Sequence, residues 1–342
     1  MNHANIAIFV PHIGCPHRCL FCDQHSISGV WNPPGKEEVD RAVATAIRSG
    51  GYVPQNTQIA FFGGSFTAIE RPYMLSLLEA AGKYVQNQTV RSLRISTRPD
   101  AITPEILQIL RCHGVENIEL GAQSMDDAVL RLNERGHTAN DTRQACEMIA
   151  SCGLTLGLQM MTGMFGSNRQ KDSETARQLI RLSPAEVRIY PTVVLKKTPL
   201  ALKYQRGEYQ PPSLAEAIEQ CARLSEQFEK NGIRVIRLGL HSLPKESYLA
   251  GPYHPAFAQL CCSRRFLSAF ESRLREPGHY EIRVAGKHLS DAIGQKKENL
   301  QKLAAKGFFC RITADDSLRG SQFLVERNGE NGAAQIHSDS GL

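Results

Sequence analysis

Short apolar runs rich in β-branched and aromatic residues alternate along this chain with longer stretches whose apolar positions recur every three or four residues. The runs at 5–10, 58–62, 92–97, 117–121, 155–161 and 187–192 predict strands, each bounded by turn residues. The periodic stretches at 72–85, 104–112, 140–152 and 169–182 predict the clearest helices, several opened by Thr, Pro or Asn near the first turn. A strand followed by a helix, six times over, is the pattern of parallel βα units. Right-handed crossovers close such units into an α/β barrel of six (β/α) units or a partial one, with working residues at the C-terminal strand ends.

The pattern changes beyond residue 240. The expected division is a core at 1–245, a connecting segment at 246–278, a small α+β module at 279–327, and a disordered Gly-, Ser- and Asn-rich tail at 328–342. Within the module, 280–285 reads as a strand, 287–293 and 298–305 as short helices, and 308–312 as a strand. Ala292-Ile293-Gly294-Gln295-Lys296-Lys297-Glu298-Asn299-Leu300 links the helices. This β-α-α-β order and linker resemble the core of a KH domain, whose IGxxGxxI loop clamps the backbone of about four nucleotides. The resemblance marks Gly294, Lys296 and Lys297 as RNA contacts. Lys297 stands where the motif has its last glycine, which removes a site of close backbone approach and adds a charge for phosphate. A small α+β appendage with a solvated basic face is the alternative.

Charge sharpens that contrast. Of 40 Lys and Arg and 34 Asp and Glu, residues 257–312 hold eleven and five, so the rest balances at 29 against 29. The entire net charge of +6 lies in one segment, a field suited to a polyanion. Composition otherwise fits one large soluble domain with a small appendage: 342 residues, 42% apolar and 22% charged. No apolar stretch approaches the roughly 20 residues that span a bilayer, and no secretion signal opens the chain, so a cytoplasmic location is expected.

Ten cysteines are too sparse for a disulfide scaffold. Cys112, Cys146, Cys152 and Cys221 fall in helical sequence and are expected to pack as small hydrophobes. Cys261 and Cys262 are adjacent, too tight for ordinary tetrahedral metal spacing. The informative ones are Cys15, Cys19 and Cys22, spaced CxxxCxxC just after the first strand. Three thiolates on one loop can hold three irons of a [4Fe–4S] cluster and leave the fourth open. With His17 or His25 the same loop would complete a zinc site.

Other polar motifs fall at strand ends. Gly63 and Gly64, before Ser65, remove side chains where a ligand would meet backbone; a tight turn is the plainer reading. Arg98 could meet a carboxylate bidentately or brace Asp100. Gln123 presents an amide at the end of the fourth strand, and Glu119, Arg135 and His137 read as a satisfied polar cluster. Gly251-Pro252-Tyr253-His254-Pro255 is a turn that would drop Tyr253 or His254 over the barrel mouth.

The loop CxxxCxFC at the end of a first strand resembles the signature of the radical S-adenosylmethionine (radical SAM) enzymes, which carry a partial TIM-like barrel. The resemblance implies a [4Fe–4S] cluster whose open iron chelates S-adenosylmethionine, and cleavage of its sulfonium by one electron to a 5′-deoxyadenosyl radical. It further implies a one-electron donor such as ferredoxin or flavodoxin. On this basis Cys15, Cys19 and Cys22 are the cluster ligands, and Phe21, Gly63, Gly64, Ser65, Arg98, Gln123 and Arg135 the cofactor contacts.

The motifs FFGGSFT, STRPD, ELGAQS, NERGHT, MMTG and IYPTVV follow, over roughly residues 5 to 240, the order of the radical SAM core of the Elongator catalytic subunit. That subunit modifies the wobble uridine of tRNA using acetyl-coenzyme A held by a C-terminal acetyltransferase domain. At this length the chain is expected to lack that domain and the long N-terminal extension. Where that subfamily reads Lys and His before Met-Met-Pro, this chain has Thr155, Gln159 and Met160-Met161-Thr162, and Arg237-Leu238-Gly239-Leu240-His241 replaces an Arg-Asp-Ile-Pro segment. Gln159 and Tyr190, with Tyr253 and His254, are therefore the candidate substrate contacts in an altered pocket. The resemblance implies modification of an RNA base, tRNA-like. The alternative is a radical SAM oxidoreductase acting on a small molecule such as a porphyrin precursor. A non-enzymatic iron sensor would leave the strand-end motifs without purpose.

Overall fold

The computed structural model describes residues 4–11, 15, 19–23, 30, 32–328 and 335–338. Its centre is a parallel sheet of β1 (Ala4–Val10), β2 (Thr57–Gly63), β3 (Ser92–Thr97), β4 (Val115–Gln123), β5 (Thr155–Thr162), β6 (Glu186–Pro191) and β8 (Arg234–Leu238), ordered β1-β2-β3-β4-β5-β6-β8. All six expected strands are present, and β8 adds a seventh. β7 (Val194–Leu195) lies outside this sheet, paired with β9 (Tyr248–Ala250).

Helices α1 (Lys36–Arg48), α2 (Arg71–Gln86), α3 (Pro104–Cys112), α4 (Asp127–Leu132), α5 (Ala139–Ser151), α6 (Arg169–Arg181), α7 (Pro199–Gln205) and α8 (Leu214–Lys230) occupy the crossovers. Several helix starts are written into the sequence. Thr103, Asp126, Thr138, Asn168, Thr198 and Ser213 each cap the first turn with a side-chain oxygen. One face of the strands, including Ile59, Phe61, Leu93, Ile95, Ile118, Leu120, Leu158, Val187 and Ile189, packs beneath these helices as the main core.

The opposite strand face is polar, because alternate residues point inward along a strand. Arg94 on β3 donates to Glu119 on β4 at 2.6 Å and pairs with Glu186 on β6, while Gln58 on β2 accepts from its Nε. Arg188 closes on Glu119 with two bonds of 2.6 and 3.0 Å, and Arg234 on Glu186 at 2.8 Å. The side chains of Arg94 and Glu186 are 3% and 1% exposed, so this is a cross-strand floor of mutually satisfied charges. The strand ends rise above it.

The segment at 246–278, expected as a connection, is dominated by α9 (Phe257–Arg273). Its first half, through Phe257 and Cys261, belongs to the main core; Phe266, Leu267 and Phe270 belong to a second core. One 17-residue helix is thus shared by both bodies.

The second body contains β10 (Gly278–Val284), α10 (Leu289–Ile293), α11 (Glu298–Ala304), β11 (Phe308–Ala314), β12 (Gln322–Arg327) and β13 (Gln335–Ser338), its sheet ordered β11-β10-β12-β13. The expected β-α-α-β order is present, with β10 and β11 parallel. The tail departs from expectation: residues 335–338 form β13, antiparallel to β12, because that edge offers a free row of backbone donors and acceptors. The remainder of the expected disordered tail beyond Asn328 lies outside the described residues. Cys146 and Cys221 are buried as expected, whereas Cys112 is exposed, since it ends α3 on the outward side. Among the described residues no helix is long and apolar enough to cross a membrane.

Candidate active site

The three thiols follow β1 in the chain, with Cys15 against Ser65 just after β2 and Cys19 joined through Arg135 to Gly121 on β4. Cys19 is buried and Cys15 and Cys22 are half-buried. The backbone of this loop is pinned from three directions: Leu20 N–H donates to the Asn133 carbonyl, Leu200 N–H to the Leu20 carbonyl, and Cys22 N–H to the Cys19 carbonyl. Leu20 also packs with Val194, Leu200 and Tyr209. The thiols sense one another: burial, then Cys19 and Cys15, push the Cys22 thiol well above its ordinary value. Cys15 Sγ lies 3.8 Å from Ser65 Oγ.

Arg135 is the cation of the site. It donates from Nη1 to Cys19 Sγ at 3.0 Å and from Nη2 to the Gly121 carbonyl at 2.7 Å. Its buried Nε has no partner among the described residues. Arg98 is buried, pairs with Asp100 and donates to the Arg135 carbonyl at 2.8 Å. The brace reading of Arg98 is the arrangement observed, and it supports Arg135. His137 donates from Nε2 to the Ala122 carbonyl (3.2 Å); burial first, and Arg135 next, lower its pKa to about 4, so it is neutral at pH 7.

Glycine geometry explains the β2 end. Gly63 has φ +111°, and a Cβ there would stand 2.9 Å from the Val10 carbonyl oxygen. Gly64 N–H donates to that carbonyl at 2.7 Å, which lays the strand end against β1 and brings Ser65 to Cys15. At the end of β4, Gln123 adopts φ +62°, where the β4–β5 register breaks. A non-glycine residue held left-handed at a strand end is unusual, and such strain concentrates at functional sites. Its side-chain oxygen accepts from Gln159 Nε2 at 3.1 Å, joining the expected cofactor and substrate residues.

Phe21 packs with Val129, Met161, Met164 and Tyr190, an apolar rim beside the thiols. Below it Arg188 lies 5.3 Å from the Phe62 ring centroid. Tyr190 is held above the usual phenol range by burial. The Tyr253 hydroxyl accepts from Leu243 N–H, and His254 Nδ1 accepts from Ala256 N–H at the start of α9. These bonds tie the loop at 251–256 to Leu243 and to the start of α9. His17 and His25, the zinc alternative, lie outside the described residues.

Glu119, Arg135 and His137 do not form one polar cluster. Glu119 belongs to the floor with Arg94 and Arg188; Arg135 belongs to the thiols. Asn133 escaped notice as an individual residue, although it lies in NERGHT: fully buried, it donates to the Val129 and Phe165 carbonyls while its own carbonyl holds Leu20.

Three converging thiols and an adjoining guanidinium whose buried Nε–H has no partner among the described residues fit a thiolate-held [4Fe–4S] cluster with an amino-acid-like ligand beside it. The fold and this donor set define a cluster-dependent α/β enzyme. The chain belongs to the Radical SAM superfamily, whose model matches residues 9–179, followed by the Radical_SAM C-terminal domain at 184–266. The superfamily uses a [4Fe–4S] cluster and S-adenosylmethionine, the cofactor pair that the three-thiol loop implies.

Relatives include the tRNA uridine(34) acetyltransferase of Methanocaldococcus infernus, 28% identical over 63% of this chain and 48% of that protein. Elongator complex protein 3 of Homo sapiens is 23% identical over 68% of this chain and 46% of its own length. This chain spans about half the length of the curated relatives it matches. Among solved structures, the archaeal Methanocaldococcus infernus Elp3 with an N-terminal deletion superposes with a TM-score of 0.64 at 21% identity, covering 82% of this chain and 66% of that one.

Proposed function

We propose that this radical SAM enzyme modifies a base of an RNA, tRNA-like in kind, presented by its C-terminal module. The observation that carries the reading is the distribution of unpaired charge. Of the eleven cations in 257–312, Arg264, Arg265, Arg283, Lys302 and Lys306 are ion-paired. The other six, Arg273, Arg275, Lys287, Lys296, Lys297 and Arg311, are exposed and have no ion pair among the described residues. Charges left free on one small body suit a polyphosphate backbone. The names of the relatives, tRNA uridine(34) acetyltransferase among them, support the same substrate class.

The loop at 294–297 supports a backbone clamp. Gly294 has φ +79°, and Lys296 and Lys297 both take left-handed backbone, with φ of 51° and 64°. Lys297 therefore adopts the conformation that a glycine would supply in the KH motif, and keeps its ammonium in solvent. Asn299 locks the loop by donating to Ser263 and to the Ala292 carbonyl.

When bound, the cluster supplies one-electron cleavage of S-adenosylmethionine to a 5′-deoxyadenosyl radical. The residues of the chain do the rest. Arg135 holds the Cys19 sulfur, and Gly63 lets the β2 end lie against Val10 and bring Ser65 to Cys15. Gln123 and Gln159 join their amides at the strand ends, and Phe21, Met161 and Tyr190 pack as an apolar group nearby. The test is anaerobic. The reconstituted, reduced enzyme is given S-adenosylmethionine with and without total small RNA, and 5′-deoxyadenosine is quantified beside a Cys15→Ala/Cys19→Ala/Cys22→Ala control. Stimulation by RNA with a silent control is expected. Cleavage indifferent to RNA, or stimulated only by a small molecule such as a porphyrin precursor, overturns the RNA reading.

A further inference from the structure

Outside the active site, one group of side chains has the composition and spacing of a metal centre. Cys262 on α9 faces His288 and Asp291 at the start of α10, and the candidate ligand atoms of the three residues all lie within 4.8 Å of one another. Asp291 Oδ2 is 3.4 Å from Cys262 Sγ and 3.1 Å from His288 Nδ1. For a tetrahedral ion with metal–sulfur, metal–nitrogen and metal–oxygen bonds of about 2.3, 2.05 and 2.1 Å, the sulfur–oxygen and nitrogen–oxygen edges are about 3.6 and 3.4 Å. The observed edges are within a few tenths of an ångström of those values.

The local structure explains the convergence. His288 and Asp291 are three residues apart on one helical turn, so they share a face. Cys262 comes from the facing helix, at a position that packs on the second core, and the His288 ring is steadied by Phe266 at 5.6 Å between centroids. No Lys or Arg pairs with the Asp291 carboxylate among the described residues; its polar contacts are the imidazole and the thiol. The side chains of His288 and Asp291 are 18% exposed, which leaves solvent access for a fourth ligand.

We propose that Cys262, His288 and Asp291 bind one zinc-class divalent ion, with water as the fourth ligand. A thiolate, an imidazole and a carboxylate form a borderline-soft set that favours zinc over magnesium or calcium. The ion would fasten α10 to α9. At five residues α10 is too short to hold itself, and it leads directly into the loop at 294–297. The site is independent of the cluster loop and of the RNA reading.

The experiment uses the full chain carrying Cys15→Ala, Cys19→Ala and Cys22→Ala, so that the cluster loop cannot trap zinc. After exposure to zinc and gel filtration, elemental analysis should find about one zinc per chain, and cobalt(II) substitution should give a thiolate-to-cobalt charge-transfer band. Adding Cys262→Ser should abolish the band, and Cys262→Ser with His288→Gln should lower zinc content at least about tenfold while far-UV circular dichroism stays unchanged. Wild-type enzyme with its cluster reconstituted should carry the same zinc beside its iron. A zinc-free chain in both backgrounds, or zinc content indifferent to the double substitution, overturns the proposal.

Discussion

Replacing Lys297 by glycine should strengthen the fold and weaken RNA binding at once. Lys297 sits at φ 64°, ψ 28°, directly after Lys296 at φ 51°, ψ 29°. Left-handed backbone costs an L-residue about 1–2 kcal/mol. Glycine removes that cost but gives back about 0.5–1 kcal/mol through the greater freedom of the unfolded chain. The net expectation for Lys297→Gly is a gain of up to about 1.5 kcal/mol in urea denaturation. Against RNA the variant loses one exposed cation with no competing carboxylate. For a single strand, each phosphate contact contributes about 0.7 to the slope of log K against log salt, or about 2.6-fold in affinity between 50 and 200 mM salt. Fluorescence anisotropy with labelled small RNA at several salt concentrations should show that loss of slope. Lys297→Ala separates the two effects: the slope should fall equally while stability does not rise. A Lys297→Gly protein with an unchanged slope, or one less stable than wild type, would refute the clamp.

Gly63→Ala places a Cβ 2.9 Å from the Val10 carbonyl oxygen at φ +111°; it should cost roughly 2 kcal/mol or more and depress S-adenosylmethionine cleavage, read by 5′-deoxyadenosine yield. Glu119→Gln weakens the acceptor of Arg94 and Arg188 in a buried floor, which should cost about 3–5 kcal/mol. With an unfolding entropy of about 2.1 cal/mol/K per residue, that is a fall of about 4–7 °C in Tm by calorimetry. Asp172 accepts from Gly163 N–H and Ser167 Oγ–H, and burial raises its pKa to about 6. The folded state therefore holds this proton more tightly than the unfolded one. Stability should fall as pH rises from about 4 through about 6, and Asp172→Asn should flatten that part of the profile.

The strands and the cysteine loop were legible because their signals are local. A β-branched run bounded by turns announces a strand, and CxxxCxxC gathers its thiols within eight residues. β8 was harder, since Arg234 and Arg237 interrupt its apolar run and their alignment with β6 is a matter of tertiary register. The ionic floor was invisible for the same reason: Glu119 finds Arg94 and Arg188, 25 and 69 residues away, through parallel pairing that the sequence does not print. Glu119 therefore seemed to belong with its sequence neighbours Arg135 and His137. Tyr253 and His254 each accept one backbone N–H, from Leu243 and Ala256, contacts set by the fold of the loop that the sequence does not print. The metal-like group at Cys262, His288 and Asp291 was hidden by the adjacency of Cys261, which is buried in the main core and points away from the question of metal spacing.

The most direct test of the central claim is hydrogen transfer from RNA. Small RNA with deuterated nucleosides is incubated anaerobically with the reconstituted, reduced enzyme and unlabelled S-adenosylmethionine, and the 5′-deoxyadenosine is analysed by mass spectrometry. A radical enzyme acting on an RNA nucleoside predicts 5′-deoxyadenosine carrying deuterium, absent when the three cluster cysteines are replaced. Product formed in the presence of RNA but free of deuterium would contradict the account.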